Sequence, residues 1–192
     1  MRYTHSMEDF RTGYGRDWLD FAITLVDRYG KAPRDLVETP ARLRSWLAEW
    51  SLAPAGPVSD EDVARARTLR EALHGLARAA ATEQAAAPHD VRAVNAALVE
   101  AAPVELRRSG STMTLGRPAT TRQALARLAR QAVDDLTGPN RARLRTCGDD
   151  ECSGIFLDPT GRRRWCSDER CGVKARVRAH RARAKERSGV TR

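Results

Sequence analysis

The chain has 192 residues, of which 41% are hydrophobic and 31% charged, and a formal net charge of +9. That length and apolar content mark a globular protein of one medium domain, or of a larger domain with an appendage. Apolar runs such as Trp18 to Val26 are broken by Asp20 and stop short of the roughly 20 residues a bilayer span needs, and Met1 to Phe10 lacks the apolar segment of a secretory signal. The expected address is therefore the reducing cytoplasm, with no membrane partner.

Taken in chain order, Arg16 to Gly30 places Trp18, Phe21, Ala22, Leu25 and Val26 at helical intervals, with Gly30 as the stop. Thr39 followed by Pro40 supplies a cap and a first-turn proline for a second helix carrying Leu43, Trp46, Leu47 and Trp50. Ser59 caps a third, with an acidic first turn and the stripe Val63, Ala66, Leu69, Leu73, Leu76 and Ala77. Pro88 opens a shorter helix through Val91, Val94, Ala97 and Leu98. Val104 to Arg107 and Thr112 to Leu115 read as two short strands about the turn Ser109-Gly110-Ser111. A further helix over 120–136 stops at Gly138-Pro139-Asn140, which sets the expected domain boundary.

Charge divides at the same place. Residues 1–140 hold 19 Lys/Arg against 18 Asp/Glu, whereas residues 141–192 hold 15 against 7. A neutral body with a basic end points to a polyanionic partner, nucleic acid first and an anionic membrane surface second.

All four cysteines fall in the basic segment, with the spacing Cys147-x4-Cys152-x13-Cys166-x4-Cys171. Two close pairs joined by a short loop suit tetrahedral zinc, which needs four converging thiolates about 2.3 Å from the ion. Ile155-Phe156-Leu157, the turn Asp158 to Gly161 and a returning strand over Arg162 to Trp165 are expected to form the hairpin that joins the pairs, with Phe156 and Trp165 covering the metal. Two disulfides or an iron–sulfur cluster would also use four cysteines, but a reducing compartment counts against disulfides. A four-thiolate site has no open position, so its expected role is in folding rather than in catalysis.

Ser167, Asp168 and Glu169 then open a helix at the second cysteine pair. At about 100° per residue, Lys174, Arg178, Arg181 and Lys185 share an arc of about 60°, with Arg176, Arg183 and Arg187 nearly opposite beside His180. Only Glu186 is placed to pair with them along the helix. Lys174, Arg178, Arg181 and Lys185 are the expected phosphate contacts, supplemented by Arg176, Arg183 and by Arg162, Arg163 and Arg164 on the returning strand, which alternatively balance the charge of the zinc thiolates.

The motif Cys147-x4-Cys152-x3-Phe156-x-Asp158, then Arg164-Trp165-Cys166-Ser167 and Cys171-Gly172 before a basic helix, resembles the CGNR zinc-finger family. Leu19-Asp20-Phe21 with Thr24, Asp35-Leu36 before Trp46-Leu47, and Leu69-Arg70-Glu71-Ala72-Leu73 are similar to its usual companion, the ABATE domain. The name motif reads Cys171-Gly172-Val173-Lys174 here, and Ile23 stands where the companion domain commonly has Asn. The resemblance implies a bacterial, stress-response transcription regulator whose body senses a small ligand and whose finger binds DNA.

The expected fold class is α+β, predominantly α: a helical N-terminal domain with a small β-hairpin over 1–138, then a zinc-bound β-hairpin plus basic helix over 139–192. The expected function is a zinc-dependent regulator that binds double-stranded DNA, with a homodimer interface or a small-molecule effector site in the body. Trp18, Trp46 and Trp50 are candidates to line that site, although aromatics at helical spacing commonly form plain core. An RNA-binding or ribosome-associated module is the alternative; the absence of Phe, Tyr or Trp after Trp165 counts against it. No catalytic constellation links His5, His74, His89 and His180, and Asp17 and Asp20 have no evident partner acid, so no enzyme is expected.

Overall fold

The computed structural model describes residues 10–189, with side chains through Ala184. It is mostly helical, with three small antiparallel pairs of strands. The first helix, α1 (Asp17–Ala22), is shorter than its periodicity predicts. The Thr24 hydroxyl donates back to the Phe21 carbonyl at 2.8 Å, and the β-branched run that begins at Ile23 leaves the helix. The strand β1 (Leu25–Val26) then pairs with β2 (Arg34–Asp35).

Local signals place the next helices well. Helix α2 (Pro40–Glu49) starts where the Thr39 hydroxyl accepts the Arg42 N–H, and α3 (Asp60–Ala81) starts in a reciprocal capping box between Ser59 and Asp62. Helix α4 (Pro88–Leu98) begins at its proline, and α5 (Thr121–Thr137) is capped by Thr120. Between α4 and α5, β3 (Leu106–Ser109) and β4 (Thr112–Leu115) form the expected hairpin, with Gly110 at φ +60° in its turn.

Helix α3 is the central element, packed by α1, α2, α4 and α5. Trp18, Phe21, Leu43, Trp46, Leu73 and Leu128 are fully buried around it, each large side chain contributing on the order of 2 kcal/mol. Trp46 stacks on Trp50 with ring centroids 4.3 Å apart and lies 4.9 Å from Phe21. The tryptophans are thus core, and Trp18 is further spent in a 2.7 Å hydrogen bond from its indole N–H to Asp135.

The C-terminal strands differ from expectation. Ile155 to Leu157 forms β6, but its partner is β5 (Leu144–Thr146), not Arg162 to Trp165. The physical reason is Asp158, whose carboxylate collects the N–H groups of Thr160, Gly161 and Arg163 and so curls the chain into a tight turn. Pairing with β5 also lets Leu144, Ile155 and Leu157 bury against α3, in one continuous core that includes Cys147, Cys166 and Cys171. The start of the body laces onto the same strand: Leu157 N–H donates to the Tyr14 carbonyl at 2.8 Å. Gly15 permits this approach, since at its φ of +97° an added Cβ would stand 2.9 Å from that of Leu157.

Past the turn, the Ser167 hydroxyl accepts the Arg170 N–H, and a single π-helical turn (Asp168–Gly172) leads into α6 (Val173–Gly189). Among the described residues, no helix is long and apolar enough to cross a membrane.

Candidate metal centre and basic helix

Each cysteine pair is held by a different kind of turn. Cys147 directly follows β5, its N–H donating to the Gly154 carbonyl at 2.8 Å, and Cys152 closes the loop by donating to the Asp149 carbonyl at 2.8 Å. Cys166 follows the Asp158 turn, and Cys171 lies in the π turn, with its N–H on the Ser167 carbonyl at 3.0 Å. The wider turn brings the Cys171 side chain back toward Cys166 just before α6 begins.

None of the four is in a disulfide, and their sulfurs lie within 4.8 Å of one another. The Cys152 and Cys166 sulfurs are 3.6 Å apart, as are those of Cys166 and Cys171. Tetrahedral zinc with bonds of about 2.3 Å would set neighbouring sulfurs about 3.8 Å apart, so the donor set fits the ion with shifts of no more than about 1 Å. Backbone N–H groups serve the sulfurs as well, from Gly154 to Cys152 at 3.3 Å and from Cys166 to Cys147 at 3.5 Å. Gly154 is needed for this: an added Cβ would stand 2.9 Å from the Cys166 sulfur. Deprotonation at neutral pH cannot by itself make four thiolates here. The Cys166 thiol is pushed up to about 12, first by its hydrogen bond with Cys147, and Cys171 to about 12, first by burial. A divalent cation removes that obstacle by neutralising the sulfurs together.

The basic residues sort into three groups. Arg163 is structural: its guanidinium lies 4.5 Å from the centroid of the fully buried Phe156 and donates to the carbonyls of Gly13, Trp165 and Cys166. Arg164 lies over Trp165 at 4.7 Å. Trp165 is half-buried beside the Cys147–Cys152 loop, and an added Cβ on Gly148 would stand 3.1 Å from its ring.

A second group is paired with acids that lie before the helix, which the reading of Glu186 as the sole partner missed. Arg176 reaches Asp168 at 3.1 Å. Arg178 bridges Asp149, at 2.7 Å, and Glu151. The third group, Arg162, Lys174, Arg181 and Arg183, is exposed and makes no ion pair among the described residues. Arg170, absent from the sequence-based set, is exposed and unpaired in the same way. The Lys185 side chain and His5 lie outside the described residues.

The body contains a polar network that hydrophobic periodicity does not reveal. Buried Arg70 donates to Asp35 at 2.6 Å and to Glu71 at 3.0 Å, Arg67 joins Asp35 at 2.7 Å, and Arg28 joins Glu71. The motifs Asp35-Leu36 and Leu69-Arg70-Glu71 thus carry ion pairs as well as core. Asp20 is buried rather than solvated, accepting the Tyr14 N–H at 2.9 Å and the Trp50 indole N–H at 3.3 Å; burial pushes its carboxyl up to about 6. Asp17 accepts the Gln131 amide at 3.0 Å. The histidines stay apart: buried His74 contacts the Ser153 carbonyl at 3.0 Å, linking α3 to the cysteine loop, His89 is exposed beside Asp90, and His180 is exposed on α6.

Two family models match the chain. Residues 15–139 match the ABATE family model, described as "Putative stress-induced transcription regulator", and residues 143–184 match the CGNR zinc finger. No curated protein matches the chain. The zinc-finger match and the four converging cysteines together identify a structural zinc as the group these ligands hold. The chain belongs to the ABATE family, with a CGNR zinc finger behind its regulator domain.

Proposed function

We propose that this zinc-binding regulator acts in the cytoplasm by binding double-stranded DNA through α6, with residues 139–192 as the contacting module and residues 1–138 as the regulatory one. The observation that carries the reading is a strongly cationic helix, exposed over nearly all of its described side chains, Val173 to Ala184, that grows directly out of a four-cysteine knuckle packed on the body. A helix without an apolar face gains nothing by burial, whereas neutralising phosphates releases counterions. Both matched families are regulatory or zinc-finger families rather than enzyme families, in keeping with the scattered histidines.

Two features of the body support regulatory roles. A cleft of about 360 Å³ opens between α3, α4 and α5, with Ala64, Leu69, Ala93 and Leu125 on its walls and Glu100 and Arg122 at its rim, a size and polarity suited to a small effector. The β3–β4 hairpin exposes Leu106, Met113 and Leu115, which the strand register sets on one face, as a surface for a homodimer. The test is binding of zinc-loaded protein to duplex DNA over a salt series. Affinity should fall steeply with added salt; preferential binding of single-stranded RNA would overturn the duplex assignment.

A further inference from the structure

The knuckle holds the basic helix by little besides charge. Among the described side chains from Val173 to Ala184 only Ala175 is half-buried; Val173 and Val177 are 44% and 43% exposed, so no apolar face there fixes the direction of α6. The Arg176–Asp168 pair joins exposed groups eight residues apart in one continuous helical segment, and cannot orient that segment against the rest. Arg178 is different. Its partners, Asp149 and Glu151, belong to the loop between Cys147 and Cys152, the first cysteine pair, whereas α6 leaves from Cys171 of the second.

Asp149 is built into that loop. Its side chain is 2% exposed, its carbonyl accepts the Cys152 N–H and its carboxylate accepts the Glu151 N–H at 3.4 Å, leaving Arg178, at 2.7 Å, as its charged partner. A buried carboxylate holds its arginine firmly, because releasing it would leave a charge without water or counter-charge. The planar guanidinium spans both acids at once, which a lysine ammonium does less well.

We infer that Arg178 is a positioning residue, a strut between the acidic loop of the first cysteine pair and α6 that sets the helix direction, and that phosphate contact falls to Lys174 and Arg181, which make no ion pair among the described residues. Arg178 is thereby withdrawn from the set of DNA-contacting cations to which its place on the helical arc would assign it. The assignment of contacts rests on the duplex-binding reading; the strut does not.

The experiment compares wild-type protein with Arg178→Ala, Asp149→Asn, Lys174→Ala and Arg181→Ala, each zinc-loaded. Residual dipolar couplings of the α6 amides report helix direction without DNA, and duplex affinity over a salt series gives the number of phosphates neutralised. Arg178→Ala and Asp149→Asn should both scatter the α6 couplings relative to the knuckle and weaken binding about tenfold with the salt slope unchanged. Lys174→Ala and Arg181→Ala should leave the couplings intact and lower the slope by about one each. Arg178→Ala acting like Lys174→Ala, with intact couplings and a reduced slope, would make Arg178 an ordinary phosphate contact and overturn the strut. Tighter binding by Asp149→Asn would also overturn it, showing the acidic loop to be a mask over Arg178. Failure of wild-type protein to bind duplex at any salt would refute the duplex reading alone, while the couplings would still decide the strut.

Discussion

Arginine serves opposite purposes in the two halves of this molecule. In the body, Arg70 is 4% exposed and locked between Asp35 and Glu71, while Arg16 and Trp18 converge on buried Asp135. In the tail, Arg181 and Arg183 stand in solvent without an acid among the described residues. The first kind is bound to its own fold; the second leaves its charge open to solvent. The contrast lies in the carboxylates that folding brings near, so counting arginines in a sequence overstates the available surface. Arg163 and Arg178 show this most clearly, since both sit in basic runs and both are committed to internal contacts.

The largest effect that would break the comparison concerns zinc. Because four thiols this close cannot ionise together without a cation, stripping the metal should unfold the knuckle and release α6. Circular dichroism and thermal melting should report loss of the C-terminal helix with the body retained; an unchanged melting curve after metal removal would contradict the site. Next, Phe156→Ala, which empties a fully buried position beneath Arg163, should cost about 3–5 kcal/mol in urea unfolding. Arg70→Ala should cost about 3 kcal/mol by leaving Asp35 and Glu71 short of a counter-charge, whereas Arg183→Ala should stay within about 0.5 kcal/mol. Equal costs for these two arginines would erase the distinction between the halves.

A smaller effect sharpens it through pH. Burial raises the Asp20 carboxyl from 3.8 to about 6, so the folded state holds the proton more tightly than the unfolded state. That contribution is fully present below pH 3.8 and is lost as pH rises through about 6. Asp20→Asn has no such proton to lose, so its stability relative to wild type should improve between pH 4 and 7, by up to about 3 kcal/mol. Unfolding free energies for both proteins across that range measure it, and a flat difference would mean that Asp20 is solvated after all. Loss of zinc at the acid end affects both proteins and cancels in the difference.

Features written in neighbouring residues were legible in the sequence. Thr39 and Ser59 cap helices because a cap is a local hydrogen bond, and the cysteine spacing disclosed a metal site because the ligands of each pair are only five residues apart. Pairing of β6 with β5 rather than with Arg162 to Trp165 was not legible, since it depends on how Asp158 spends its lone pairs and on what α3 can cover. The shortness of α1 turns on one hydroxyl, that of Thr24. Periodicity alone also missed the Asp35–Arg70–Glu71 network, although Arg70 and Glu71 stand inside an otherwise apolar stripe, and charges there are the signal to follow.

The account stands most directly on how zinc couples to duplex binding. Affinity for one DNA fragment should be measured against salt for zinc-loaded protein, for protein stripped by a chelator, and for stripped protein reloaded with zinc. Loaded and reloaded protein should bind with the same steep salt dependence and stripped protein at least tenfold more weakly at every salt concentration. If stripped protein binds as tightly as loaded protein, the knuckle does not present the helix and the account is contradicted.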